Sequence, residues 1–108
     1  MQAQFRGRDC EVLLQRYPDG SPRLQLWSEQ APGPVATASV NLADCGVAPE
    51  REVVCVKSSG ENKGIVEALL MAGAIAPPIA WLRLGYGLVV ALCPLSPALL
   101  GWESPQRN

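Results

Sequence analysis

The chain contains no histidine, and that absence narrows the chemistry open to it. Histidine is the commonest general base near neutral pH, so a catalytic centre would have to be assembled from carboxylates, lysine or cysteine. Zinc loses one of its two usual ligand types as well. The four cysteines, Cys10, Cys45, Cys55 and Cys93, are far apart and form no C-x-x-C pair, so they read as small buried hydrophobes and no metal or other cofactor is expected. Strong charge of either sign is also missing. Nine Lys and Arg stand against ten Asp and Glu, a net charge of -1, and the basic residues are scattered. No stripe is available to track a phosphate backbone, and the acids are too sparse to imitate one. Strong nucleic-acid binding is therefore not expected.

Residues 1–6 lack the apolar run that follows the charged start of a secretory leader, so a cytoplasmic location with reduced thiols is the expectation. A spanning helix needs separate treatment, because residues 84–102 carry no charge over roughly the length a bilayer requires. Gly85, Gly87, Pro94 and Pro97 punctuate that run, and Val89 and Val90 favour a strand. A buried strand over 84–95 is expected in place of a membrane span.

What is present reads as one α+β domain over residues 1–95 with a C-terminal tail at 96–108. A weak first strand at 2–7 precedes a better one at 9–17, where Cys10, Val12 and Leu14 form an apolar row. Pro18-Asp19-Gly20-Ser21 then supplies a hairpin turn, and residues 23–28 return as its partner strand. After the Ala31-Pro32-Gly33-Pro34 loop, residues 35–42 alternate as one half-buried strand, and Val53-Val54-Cys55-Val56 reads as a central one. Ser58 and Glu61 have capping-box spacing, while Ile65, Ala68, Leu69 and Ala72 make an apolar stripe that Gly73 can terminate.

These patterns predict a mainly antiparallel sheet of five or six strands, covered on one face by a single helix at 61–73. Ile65, Leu69, Val54, Val56, Val40, Leu26 and Leu92 are expected in one core. Tyr86 and one of the tryptophans are expected to pack with them. Pro77 and Pro78 force an extended connection, leaving Ile79, Trp81 and Leu82 as an apolar insert that neither a strand nor a helix buries regularly.

The order of Val40-Asn41-Leu42, an apolar strand, Ser59-Gly60-Glu61-Asn62-Lys63-Gly64 and Gly85-Tyr86-Gly87 before Val90-Ala91-Leu92-Cys93-Pro94-Leu95 resembles a family of small phage- and plasmid-borne proteins known as a domain of unknown function. The most distinctive part is Glu-Asn-x-Gly-x-x-Glu-Ala-Leu at 61–69, and the chain departs from the pattern at 76–82 and after Leu95. The resemblance implies an accessory product of a mobile element that binds a host protein complex, a class that includes anti-CRISPR inhibitors. It brings no catalytic residues. Asn62 and Gly64 within it also have a structural reading as cap and close-approach residues.

An enzyme is not expected. Cys55 near Lys57 and the coming helix is the best thiol nucleophile on offer, yet its apolar strand argues for burial. Glu61 and Glu67 are too far apart on a helix to act as a pair, and the 60–64 segment lacks P-loop spacing. A binding module fits better. Trp81 as anchor, Arg83 as charged rim and Trp102 in the tail are the partner-binding candidates, in a monomer or homodimer. The alternative is a self-associating structural or accessory protein with no host-defence target, which would bury the 76–82 patch or a strand edge against its own copy.

Overall fold

A strand that changes partners halfway along its length sets the architecture. The computed structural model describes residues 1–30 and 33–102. In it β4 (Pro34–Thr37) pairs with β3 (Pro22–Trp27), whereas β5 (Ser39–Val40) pairs with β6 (Val53–Lys57). Ala38 is the corner. Its N–H donates to the Leu24 carbonyl on one side at 2.8 Å, and its carbonyl accepts from Lys57 N–H on the other at 2.8 Å. The single strand expected over 35–42 is thus broken there, because a small, fully buried residue lets two sheets meet at a corner.

The expected single sheet of five or six strands is replaced by two antiparallel sheets of four. The first runs β1-β2-β3-β4, with β1 (Gln2–Phe5) and β2 (Arg8–Arg16); the second runs β5-β6-β8-β7, with β7 (Ala80–Arg83) and β8 (Val89–Pro94). The β2–β3 hairpin forms as read from its turn. Gly20 takes φ +89°, Tyr17 N–H donates to the Ser21 carbonyl at 2.9 Å, and the Asp19 carboxylate accepts from Ser21 N–H at 2.9 Å. That hydrogen bond holds the Asp19 carboxyl below its ordinary range. The β1–β2 turn puts both Arg6 and Gly7 at positive φ, as a two-residue hairpin requires. Arg6 then reaches the Glu61 carbonyl with its guanidinium, a contact that ties this turn to the segment before the helix.

The helix is shorter than the expected 61–73. Gly60–Asn62 forms a 3-10 turn, Gly64 swings to φ +88°, and α1 begins only at Ile65 and ends at Ala72. No capping box forms: the Ser58 hydroxyl donates to the Val89 carbonyl at 3.1 Å and the Ser59 hydroxyl accepts from Val89 N–H at 3.2 Å. Both serines are used to hold β8. Asn62, buried, instead donates to the Thr37 carbonyl at 2.9 Å and so pins the turn beside the Ala38 corner. Gly73 does terminate α1, at φ +78°, with its N–H and that of Ala74 returned to Leu70 and Leu69.

Two apolar clusters result where one was expected. Side chains of both sheets, among them Phe5, Leu14, Leu26, Val54 and Val56, meet Ile65 and Leu69 of α1 in the main core. Val40 and Leu92 do not join them. Both pair with Cys55 across the second sheet, and residues in register share a face, so they lie on the opposite face from Val54 and Val56. There they pack with Leu42, Cys55 and Val90 in a smaller outer cluster. At the start of the tail, α2 (Pro97–Leu100), capped by the Ser96 hydroxyl, sends Leu99 fully buried into the main core. A second helix, however short, therefore accompanies α1. The loop through Ala31 and Pro32, the end of the tail from 103 to 108 and the side chain of Tyr86 lie outside the described residues.

Among the described residues no helix is long and apolar enough to cross a membrane. The central part of the uncharged run at 84–102 is strand β8.

Candidate functional site

The 76–83 segment, expected as an apolar insert without regular structure, runs alongside β8 as an interrupted edge strand. Ile75 bridges Leu95, and the next paired residue, Ala80, opposes Leu92. That is five steps on one strand against three on the other, so Pro77 and Pro78 are accommodated as a two-residue bulge. Proline belongs at such a place, since an edge strand can lose outward-facing donors without breaking the ladder. Beyond the bulge, residues 80–83 alternate half-buried and exposed, and this places Trp81 in a strand.

The ladder decides which backbone groups of β7 remain open. Ser58 N–H donates to the Val89 carbonyl at 3.0 Å, so Val89, Ala91 and Cys93 turn their backbone groups toward β6. Val90 and Leu92 consequently turn theirs toward β7, where they oppose Leu82 and Ala80. The bond from Leu84 N–H to the Leu88 carbonyl, 2.7 Å, continues the same phase. By alternation the N–H and C=O groups of Trp81 and Arg83 face away from the sheet.

Those two residues also present their side chains together. Spaced i and i+2, they share one face of β7 about 6.6 Å apart along the strand. Trp81 is 56% exposed, an unusual state for so large an apolar residue, and Arg83 is exposed beside it with no acidic partner among the described residues. Ile79, 66% exposed, extends the apolar surface toward the bulge. Trp102 is 68% exposed, but it stands at the end of α2, a different element, and is not part of the β7 edge. The structure thus brings Trp81 and Arg83 together and leaves Trp102 apart. The open backbone groups were missed by sequence reasoning, because the proline pair hid the alternation of Ala80, Trp81, Leu82 and Arg83.

Elsewhere, a concavity of about 660 Å³ lies on the first sheet, lined by Gln2, Arg8, Asp9, Glu11, Trp27 and Glu29 among others. Its acids are already engaged in part: Glu11 accepts from the Met1 amino group at 2.7 Å and from Gln2 at 2.6 Å, and Asp9 accepts from Gln4 at 3.0 Å. Cys55, the thiol closest to a nucleophile by sequence, is fully buried, and burial pushes its thiol well above the ordinary range. Its sulfur lies 2.8 Å from that of Cys45. Among the described residues no cluster of three or more Cys, Asp or Glu could hold a metal ion.

No family model, curated protein or solved structure matches the chain.

Proposed function

We propose that the chain is a non-enzymatic binding module that captures another protein through the β7 edge, by adding an extended segment of the partner to the second sheet. The observation that carries this reading is the coincidence, at Trp81 and Arg83, of open backbone hydrogen-bonding groups with an exposed tryptophan and a guanidinium that has no acidic partner among the described residues. Main-chain bonds would supply register and part of the affinity, and alternate side chains would supply specificity. The segment that fits is extended, with an acidic residue opposite Arg83 and an apolar one against Trp81. Natural edges are usually blunted by proline, charge or bulges. Here Pro77 and Pro78 blunt the first half, while the second half carries the aromatic residue most enriched at binding hot spots.

The partner class implied by the resemblance is a host protein complex, with a defence complex as the specific case. Self-association is the second reading, and the same edge favours it for a physical reason: two copies of β7 paired antiparallel about Leu82 would set each Trp81 opposite the other copy's Arg83, a cation–π arrangement. Amide hydrogen exchange separates these outcomes from a structural role. In the free protein at low concentration the Trp81 and Arg83 amides should exchange rapidly, and in complex with a partner captured from host lysate they should become protected. Protection that appears on raising the chain's own concentration assigns the edge to self-association. Amides already protected in the isolated monomer would remove the edge from the account.

A further inference from the structure

We propose that Cys45 and Cys55 form a dithiol site that reacts with small-molecule disulfides and closes to an internal disulfide. The two sulfurs are 2.8 Å apart, whereas the Cys10 and Cys93 thiols are directed to backbone carbonyls at 3.7 and 3.8 Å. They reach each other from different elements. Cys55 lies on β6 and faces the outer cluster, while Cys45 ends the 3-10 turn Leu42–Cys45 that covers that cluster. The turn is fixed at both ends, by the Asn41 carboxamide accepting from Ala43 N–H at 3.1 Å and by Gly46 at φ +74°, so Cys45 is held over the strand.

The register excludes the other thiols as partners. Cys93 pairs with Val54 and therefore faces the main core, on the side of the sheet opposite Cys55. Cys10 belongs to β2 of the first sheet, and its thiol is directed to the Arg8 carbonyl at 3.7 Å.

The two members differ in the way exchange chemistry requires. Cys45 is partly exposed and meets the reagent first; Cys55 is fully buried, where burial disfavours its thiolate and denies it to solvent. Cys45, having lost its proton, attacks one sulfur of the external disulfide, forms a mixed disulfide and expels one thiolate. Cys55 then surrenders its proton as its sulfur attacks Cys45 Sγ, which breaks the mixed disulfide and expels the second thiolate. The protein dithiol is oxidised by two electrons, the external disulfide is reduced to two thiols, and the two protein protons end on those thiols. Enforced proximity of the sulfurs drives the second step despite the unfavourable ionisation of Cys55.

The test treats the full folded chain with glutathione disulfide and follows intact mass, free-thiol count and peptide connectivity. Wild type should lose two of its four thiols, retain no bound glutathione and yield a Cys45–Cys55 cross-link, and Cys10→Ser and Cys93→Ser should each lose two of their three remaining thiols to the same cross-link. Cys55→Ser should stall at the mixed disulfide, accumulating it at least about tenfold over wild type. Cys45→Ser, altered at the partly exposed member, should show neither cross-link nor adduct, and it serves as the arm that counts if Cys55→Ser does not fold. Four thiols surviving treatment, a stable glutathione adduct on wild type, or a cross-link through Cys10 or Cys93 would each overturn the proposal.

Discussion

Leu69→Ala and Leu92→Ala should destabilise the protein by clearly different amounts, although both remove the same three carbons from a leucine beside the same sheet. Leu69 is fully buried among Ile65, Val54, Val56 and residues of the first sheet, so truncation loses its transfer free energy and leaves a cavity walled on every side. Such Leu→Ala changes cost about 2–5 kcal/mol, and an enclosed position between two sheets and a helix belongs in the upper half of that range. Leu92 lies on the outer face, where it only borders the Leu42, Cys55 and Val90 cluster and remains partly open to water. Water can enter the space left by its side chain, so the loss should be about 1–1.5 kcal/mol, a fraction of the full burial value. For a chain of this size each kcal/mol shifts the melting temperature by roughly 4–8 °C. The two variants should therefore melt at least about 8 °C apart, and urea titrations should return equal slopes with different midpoints. Equal losses would mean that the two residues share one core and that the two-faced second sheet is wrong.

Asn62→Ala should cost about 1–3 kcal/mol, because it leaves the Thr37 carbonyl without its buried partner at the corner; a neutral result by thermal melt would show that the 3-10 turn needs no latch. Proline scanning of β7 reads the ladder phase directly. Leu82→Pro removes a donor used inside the sheet and should cost about 3 kcal/mol, whereas Arg83→Pro removes an outward donor and should melt close to wild type; the reverse order would invert the assignment of the open edge. Closing the Cys45–Cys55 disulfide, ten residues apart in sequence, should raise stability by about 2.7 kcal/mol through loop-closure entropy in the unfolded chain, a gain that reducing agent abolishes and that a denaturant titration in each redox state measures.

Much of the local structure was legible because it depends on near neighbours. Proline, aspartate and glycine at 18–20 specify a turn by their own backbone preferences, and the two flanking strands pair antiparallel as expected. The apolar stripe at Ile65, Ala68, Leu69 and Ala72 and its stop at Gly73 were equally local. The start of the helix was not, since Ser58 and Ser59 are claimed by Val89, a residue about thirty positions away whose need for partners leaves no trace in the capping pattern. Gly60 and Gly64 both adopt positive φ and convert the expected first turns into a 3-10 segment with a break.

The division of the sheet was hidden for a different reason. Val53-Val54-Cys55-Val56 is apolar at every position, so it has no alternation to say which residues look inward; the strand is buried on both faces, and that is why it reads as continuous. From such a run, Val40 and Leu92 could be assigned to either side. The Ala38 corner is likewise silent, because an alanine among Ala36, Thr37 and Ser39 fits an unbroken strand as well as a bend. At the candidate site, sequence reasoning found Trp81 and Arg83 from residue type. It could not find their open backbone groups, which follow from the ladder phase that the Ser58–Val89 and Leu84–Leu88 bonds set.

The affinity of purified Trp81→Ala for a partner isolated with the wild-type chain tests the β7 edge most directly. With Trp81 56% exposed on an edge strand, the variant should keep a melting temperature within a few degrees of wild type. Its dissociation constant should rise by about thirtyfold or more, the equivalent of about 2 kcal/mol lost at a hot spot. A variant that folds and binds as tightly as wild type contradicts the assignment of the β7 edge as the surface that captures a partner.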